Sequence, residues 1–194
     1  MARETRRGET NRTPNITEEV VTDALGLLKR DHKLVDELFN ELGQAGQQQL
    51  DPMARRICKL LRIHAQIEEE LFYPAARRAL PRGESIDTAE REHAEAKQTI
   101  ARIESMTSED VKFKNAVAEL AEAIRRHVAE EEGTLFPQLS GKLDLVSLGI
   151  ALAERRDTLM DVLGLHSDDE EGVAQQRALL EEARQARESR KTPE

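Results

Sequence analysis

Residues 64–74 read HAQIEEELFYP and residues 127–137 read HVAEEEGTLFP. Laid over each other at one constant offset, they place His64, Glu68, Phe72, Tyr73 and Pro74 on His127, Glu131, Leu135, Phe136 and Pro137. In each copy the histidine and glutamate stand four residues apart, so a helix carries both side chains on one face. Upstream, His32, preceded by Asp31, falls in the same way on His93, preceded by Glu92. The chain is therefore an internal repeat whose unit is two helices, one with a lone histidine and one with HxxxE.

Apolar stripes extend these four segments in both directions. The first helix begins near Thr17 and carries Val21, Leu25, Leu28, His32, Val35, Phe39 and Leu42 until Gly43 and Gly46 stop it. Asp51 and Pro52 signal the start of the second, whose stripe is Ile57, Leu60 or Leu61, His64, Ile67 or Glu68, and Leu71, ending by Pro81 and Gly83. A capping-box spacing at Asp87 and Glu90 opens the third, with Ile86, Ala89, His93, Ala96, Ile100 and Ile103. After the Thr107–Ser108 turn the fourth runs through Val117, Leu120, Ile124, His127, Glu131 and Leu135 to Pro137. Four such helices with short connections predict an all-α, antiparallel up-down-up-down four-helix bundle over residues 16–140.

Outside the bundle, residues 1–15 are basic and lack periodicity, which predicts a disordered arm. Residues 141–194 predict a helical extension, broken near Gly149, and a charged tail that can order on a protein partner. The 194 residues include five aromatics, no Trp and six Pro, a composition of helix formers, and 35% are charged. A net charge of −9 argues against nucleic-acid and anionic-membrane binding, because that field repels phosphate. Cys58 is the single cysteine, so no disulfide forms within the chain. The longest apolar stretch, about Leu143 to Ala153, is too short to span a bilayer, and the arm lacks the apolar core of a secretory signal. These features predict a cytoplasmic protein.

Four of the five histidines lie on inward stripes, one per helix. Glu68 and Glu131 lie on or beside the same stripes, where an ionised carboxylate is costly unless a cation compensates it, and no arginine falls on the inward positions. Two half-sites, each with two imidazoles and one carboxylate, suit two borderline metal ions bridged by the carboxylates. Such mixed donors on helical ridges fit a redox-active pair of irons, with manganese or zinc as substitutes.

At these residues the sequence resembles the hemerythrin-like, or HHE cation-binding, family over about residues 17–140. That resemblance implies a non-haem di-iron centre with His32, His64, His93 and His127 as terminal ligands and Glu68 and Glu131 as bridges. The oxygen-carrying hemerythrins have a further histidine one turn after the third-helix ligand, where this chain has Lys97. The departure implies an additional coordination position, either open, and then available to peroxide or nitric oxide as well as to oxygen, or filled by water or another side chain. The expected activity is peroxide disproportionation, or oxygen or nitric oxide binding, in oxidative or nitrosative stress. An iron- or oxygen-sensing protein signalling through its C-terminal extension is the alternative, and a metal-free interaction protein leaves two glutamates uncompensated.

Secondary candidates flank this set. Tyr73 can supply a phenolate only if the helix is distorted near Pro74; otherwise it caps the bundle with its hydroxyl in water. Lys97 can hydrogen-bond a bridging glutamate or snorkel to the edge. Glu69, Glu70, Glu130 and Glu132 read as solvated charges, with Glu69 or Glu132 as alternative ligands if the helix rotates. Asp31 and Glu92 point about 100° away from their neighbouring histidines on an ideal helix, so neither is assigned to support them. Cys58 reads as a packing residue and His166 as a solvated loop residue.

Overall fold

The structure is a computed structural model that describes residues 23–80 and 82–165 and the isolated Gln185. The basic arm, the helix start near Thr17, Val21, Pro81, His166 and the charged tail lie outside the described residues. The first rod is α1 (Ala24–Gln44). The second is α2 (Gln47–Ile67), which continues through the π-helical turn π1 (Glu68–Phe72) into α3 (Tyr73–Ala79). The third is α4 (Glu84–Glu104), and the fourth runs from α5 (Phe113–Glu130) through π2 (Glu131–Leu135) to α6 (Phe136–Leu139). Together they form the antiparallel up-down-up-down bundle, and a further helix, α7 (Leu145–Val162), packs on its outside.

Side-chain chemistry sets the helix ends. Asp23 caps α1 by accepting the Gly26 N–H at 2.9 Å. The second rod starts at Gln47 instead of Asp51, leaving Pro52 inside α2. Asp51 is spent on Arg55 one turn on, at 2.8 and 3.0 Å, while Gln47 anchors the start through the Ser108 carbonyl. Likewise α4 begins at Glu84, because Asp87 pairs with Arg77 at 2.6 Å rather than capping the helix.

Helix α7 is unbroken at Gly149. That glycine is a close-approach residue: a Cβ there would lie 2.7 Å from the Ala24 nitrogen, so its absence lets α7 seat against the start of α1. Leu152 and Leu159 are buried beneath the helix, and Lys59 donates to the Leu163 carbonyl at 3.1 Å.

Two apolar clusters fill the bundle. One, around Phe39, Leu42, Ile57, Ile100, Ile103, Phe113 and Leu120, occupies one end. The other gathers Leu27, Leu28, Ile67, Phe72, Ile86, Phe136 and Leu139, with Leu152 of α7. In each rod the inward histidine stands in sequence between positions that feed the two clusters, so the polar residues form a layer within a dry interior.

Candidate metal centre

All six predicted donors converge. His32, His64, His93 and His127 are 3–6% exposed, Glu131 is 2% exposed and Glu68 is fully buried. The imidazoles turn Nε2 inward in two pairs, His32 to His64 at 3.0 Å and His93 to His127 at 3.2 Å. Glu68 Oε2 lies between the pairs, 3.1 Å from His64 Nε2 and 3.3 Å from His93 Nε2. Glu131 Oε2 mirrors it, 3.5 Å from His32 Nε2 and 3.6 Å from His127 Nε2. Their donor atoms fall into two sets compact enough to hold an ion, His32, His64, Glu68 and Glu131 in one, and Glu68, His93 and His127 in the other.

Both glutamates open a π-helical turn that ends just before the phenylalanine or tyrosine preceding a proline. Each turn closes one residue late, Tyr73 N–H on Glu68 C=O and Phe136 N–H on Glu131 C=O. Pro74 and Pro137 have no N–H to offer the preceding turn, which favours this wider winding. The winding also moves Tyr73. It is fully buried, and its hydroxyl donates to Glu131 Oε1 at 3.0 Å and lies 3.3 Å from His93 Nε2. The water-facing alternative for Tyr73 is therefore corrected: the hydroxyl belongs to the donor cluster.

Three of the four outward nitrogens are also satisfied, two by glutamates that read as solvated charges and one by Glu92, which points away from its own neighbour His93. His32 Nδ1 meets Glu132 at 2.8 Å, His93 Nδ1 meets Glu69 at 3.2 Å and His127 Nδ1 meets Glu92 at 3.0 Å. His64 Nδ1 faces Asp31 at 3.8 Å, beyond hydrogen-bonding range. Asp31 and Glu92 point away from the histidines next to them in sequence but toward histidines of the neighbouring helix. Such acceptors fix the imidazole tautomer and raise its basicity toward a metal. Glu69 and Glu132 are thus neither idle surface charges nor inward ligands. Lys97 does not reach the glutamates of the donor set; its ammonium grips both oxygens of Glu69 at 2.5 and 2.6 Å. An arginine also turns inward, Arg156 of α7, 3.2 Å from Asp31. Glu70 lies outside and pairs with Arg155. Cys58 is packed in the core, where burial pushes its thiol up to about 11.

Electrostatics tests whether cations fit here. Neither oxygen of Glu68 has a hydrogen-bond partner, and Oε2 of Glu131 has none. Burial and the Glu68 charge push Glu131 well above the ordinary carboxylate range. Burial alone would raise Glu68 too, but His64 and His93 overcome it and hold the carboxyl well below that range. Burial pulls His64 down, yet Glu68 and Asp31 outweigh it and carry the imidazole up to about 10, whereas burial holds His127 down to about 4. Without a metal cation at the centre, two carboxylates and four imidazoles force one another out of their usual protonation states. A cation placed among them removes that conflict, so the donor set fits a metal.

Fold and site together define a helical-bundle protein with a buried histidine and carboxylate centre of the kind that holds cations. The chain belongs to the hemerythrin HHE cation-binding domain family, whose description matches residues 23–139. It is 32% identical over 118 residues to a DNA nickase of Nostoc sp., a match that takes in 60% of this chain but only 33% of that protein. The crystal structure of a hemerythrin HHE cation binding domain-containing protein from Mycobacterium kansasii superposes with a TM-score of 0.64 at 20% identity. That match covers 83% of this chain and 98% of the other, a likeness of fold that extends beyond residues 23–139. Among the described residues, no helix is long and apolar enough to cross a membrane.

Proposed function

We propose that the chain is a non-haem di-iron protein that handles a small oxidant, by disproportionating peroxide or by binding oxygen or nitric oxide, as a defence against oxidative or nitrosative stress. The observation that carries this reading is Glu68, a fully buried carboxylate set between two imidazole pairs with no hydrogen bond to either oxygen. Removal of an ionised carboxylate from water costs several kcal/mol, which metal coordination offsets and an apolar core does not. His32 and His64 would hold one iron, His93 and His127 the other, with Glu68 and Glu131 shared. Bound iron would supply one-electron redox chemistry and exchangeable coordination positions.

The chain's own residues supply the surroundings. Glu132, Glu69 and Glu92, hydrogen-bonded to the outer nitrogens of His32, His93 and His127, orient those rings. Phe72, Leu135 and Phe136 exclude water from one side of the donor layer, with Phe136 stacked on the His32 ring at 6.1 Å. Tyr73 keeps an O–H on Glu131, the single phenolic proton within reach of the cluster. At the position where oxygen carriers add a histidine, Lys97 is committed to Glu69, which leaves the six-residue donor set without an extra imidazole. The nicking activity named for the Nostoc relative is not carried over, since two thirds of that protein has no counterpart in the match and the charge of −9 repels nucleic acid.

Metal content per chain, with the optical spectrum before and after adding peroxide, oxygen and nitric oxide, tests the proposal. Iron with oxygen evolution from peroxide supports turnover, and a stable adduct with a diatomic gas supports binding. A protein that loads iron but answers to none of the three contradicts oxidant handling.

A further inference from the structure

Three of the four inward histidines have an acceptor on Nδ1 between 2.8 and 3.2 Å. His64 is the exception. Its Nδ1 is buried without a hydrogen bond, and the nearest carboxylate oxygen, Oδ2 of Asp31, stands 3.8 Å away. Rotation of that carboxylate either closes the gap or opens it, so whatever holds Asp31 decides whether His64 is supported.

What holds it comes from outside the bundle. The guanidinium of Arg156, on α7, lies 3.2 Å from the other oxygen, Oδ1, as an ion pair without hydrogen-bond geometry, and both side chains are largely buried, at 14% and 9% exposure. Helix α7 begins after residue 139, where the family match ends. Several contacts seat it independently of this pair: Gly149 on Ala24, Leu152 in the core and Lys59 on the Leu163 carbonyl. The arginine is therefore delivered to Asp31 by a docked helix, not by a mobile side chain on the surface. The repeat-related partner of His127, Glu92, reaches Nδ1 at 3.0 Å without any such aid.

We propose that Arg156 is a positioning residue of the metal centre: held by α7, it fixes Asp31 so that the free carboxylate oxygen faces His64, and the seating of α7 thereby sets how firmly the His32 and His64 half of the centre retains its metal. The inference rests on the reading of His64 as a metal ligand. An aimed acceptor raises imidazole basicity and removes the cost of orienting the ring, and loss of such an acceptor lowers metal affinity about 10- to 100-fold. Because Arg156 acts through Asp31, removing both costs no more than removing Asp31 alone.

The test uses the full chain and Zn(II), a diamagnetic probe that needs no redox step, titrated in competition with a chelator. Arg156→Gln weakens zinc binding at one half of the centre about tenfold, and Arg156→Lys recovers part of the loss. Arg155→Gln, which breaks an ion pair of the same helix without touching Asp31, stays within about twofold of the parent, and Asp31→Asn/Arg156→Gln binds as Asp31→Asn does. In the zinc-loaded protein the His64 Nδ1–H resonance shifts in Arg156→Gln and not in Arg155→Gln. If Arg156→Gln does not fold, the contrast between Arg156→Lys and Arg155→Gln carries the test. Parent-like zinc binding by Arg156→Gln, equal losses in the Arg155 and Arg156 variants, or additive losses in the double variant would overturn the proposal. His64→Ala separates the layers: if it binds zinc as the parent does, the ligand assignment itself fails, whereas a loss there with none in Arg156→Gln sinks only the role of Arg156.

Discussion

The two halves of the bundle carry the same donors and surround them differently. His64 and His127 occupy equivalent positions in the repeat, as do Glu68 and Glu131. Yet Glu131 accepts a hydrogen bond from Tyr73, while Phe136, the repeat partner of Tyr73, stacks on His32 and has no proton to give Glu68. Asp31 leans on Arg156 of α7, whereas its counterpart Glu92 reaches His127 directly. Lys97 grips Glu69 beside His93; its counterpart Asp36 is a half-exposed residue paired with Arg125. The repeat supplies the candidate donors, and the departures from it surround the two sets differently.

The largest effects should come from what the halves share. On the proposed di-iron reading, Glu68→Ala and Glu131→Ala each remove a carboxylate that both ions would share, which would leave two like charges to repel in low dielectric. Iron content should fall to one per chain or fewer, and with it the metal-dependent rise in thermal midpoint, worth about 3–4 kcal/mol at saturating metal. Glu70→Ala removes an exposed pair with Arg155 and a surface hydrogen bond from Gln66, and should leave both readings nearly unchanged.

Next comes the difference between Tyr73 and Phe136. Tyr73→Phe strips Glu131 of the O–H that reaches it, and a buried acceptor left unpartnered costs about 1–3 kcal/mol. Chemical denaturation of the metal-free variant measures this loss. An unchanged stability would mean that Glu131 is satisfied by another group and that the halves are more alike than the geometry indicates.

Much of this was readable in the sequence, and what was not has physical reasons. The constant offset between the two HxxxE segments and the inward stripes give the bundle and bring all six donors together. The helix starts at Asp51 and Asp87 misled because both aspartates pair with nearby arginines, which compete with capping. Tyr73 looked outward because an ideal α-helix puts residues five apart on different faces; the π-helical turn closes over five residues and brings it under the cluster. The prolines at 74 and 137 were the available signal. Periodicity within one helix points Asp31 and Glu92 away from the histidines next to them, whereas the histidines they face sit across a helix seam. Arg156 could not be foreseen from bundle periodicity, since it belongs to a helix outside the repeat.

A smaller effect separates His64 from His127 in the metal-free protein. Glu68 and Asp31 carry His64 up to about 10 against the pull of burial, so the stability gained from its charged form is complete below about pH 6.5 and is lost as pH rises through about 10. Burial holds His127 down to about 4, so its neutral form opposes protonation and stability falls between about pH 6.5 and 4. The thermal midpoint of metal-free protein should therefore decline on both sides of neutrality. Metal should flatten the alkaline limb, because a bound ion then occupies the nitrogen that the proton would hold.

The smallest effect concerns Lys97. Lys97→Ala leaves Glu69 in place but unanchored, which should weaken metal binding about threefold to tenfold, less than loss of a direct carboxylate partner. Asp36→Ala, at the equivalent position of the other half, should have no effect on metal binding. Chelator competition on the two variants compares them directly, and equal behaviour would remove Lys97 from the account.

Reconstitution with ferrous iron in the absence of oxygen, followed by elemental analysis of iron per chain for the parent and for Glu68→Ala, tests the central claim most directly. Two shared glutamates between two imidazole pairs predict two irons in the parent and at most one in the variant. A parent that retains one iron or none, or a Glu68→Ala variant that still retains two, would contradict a carboxylate-bridged pair at this centre.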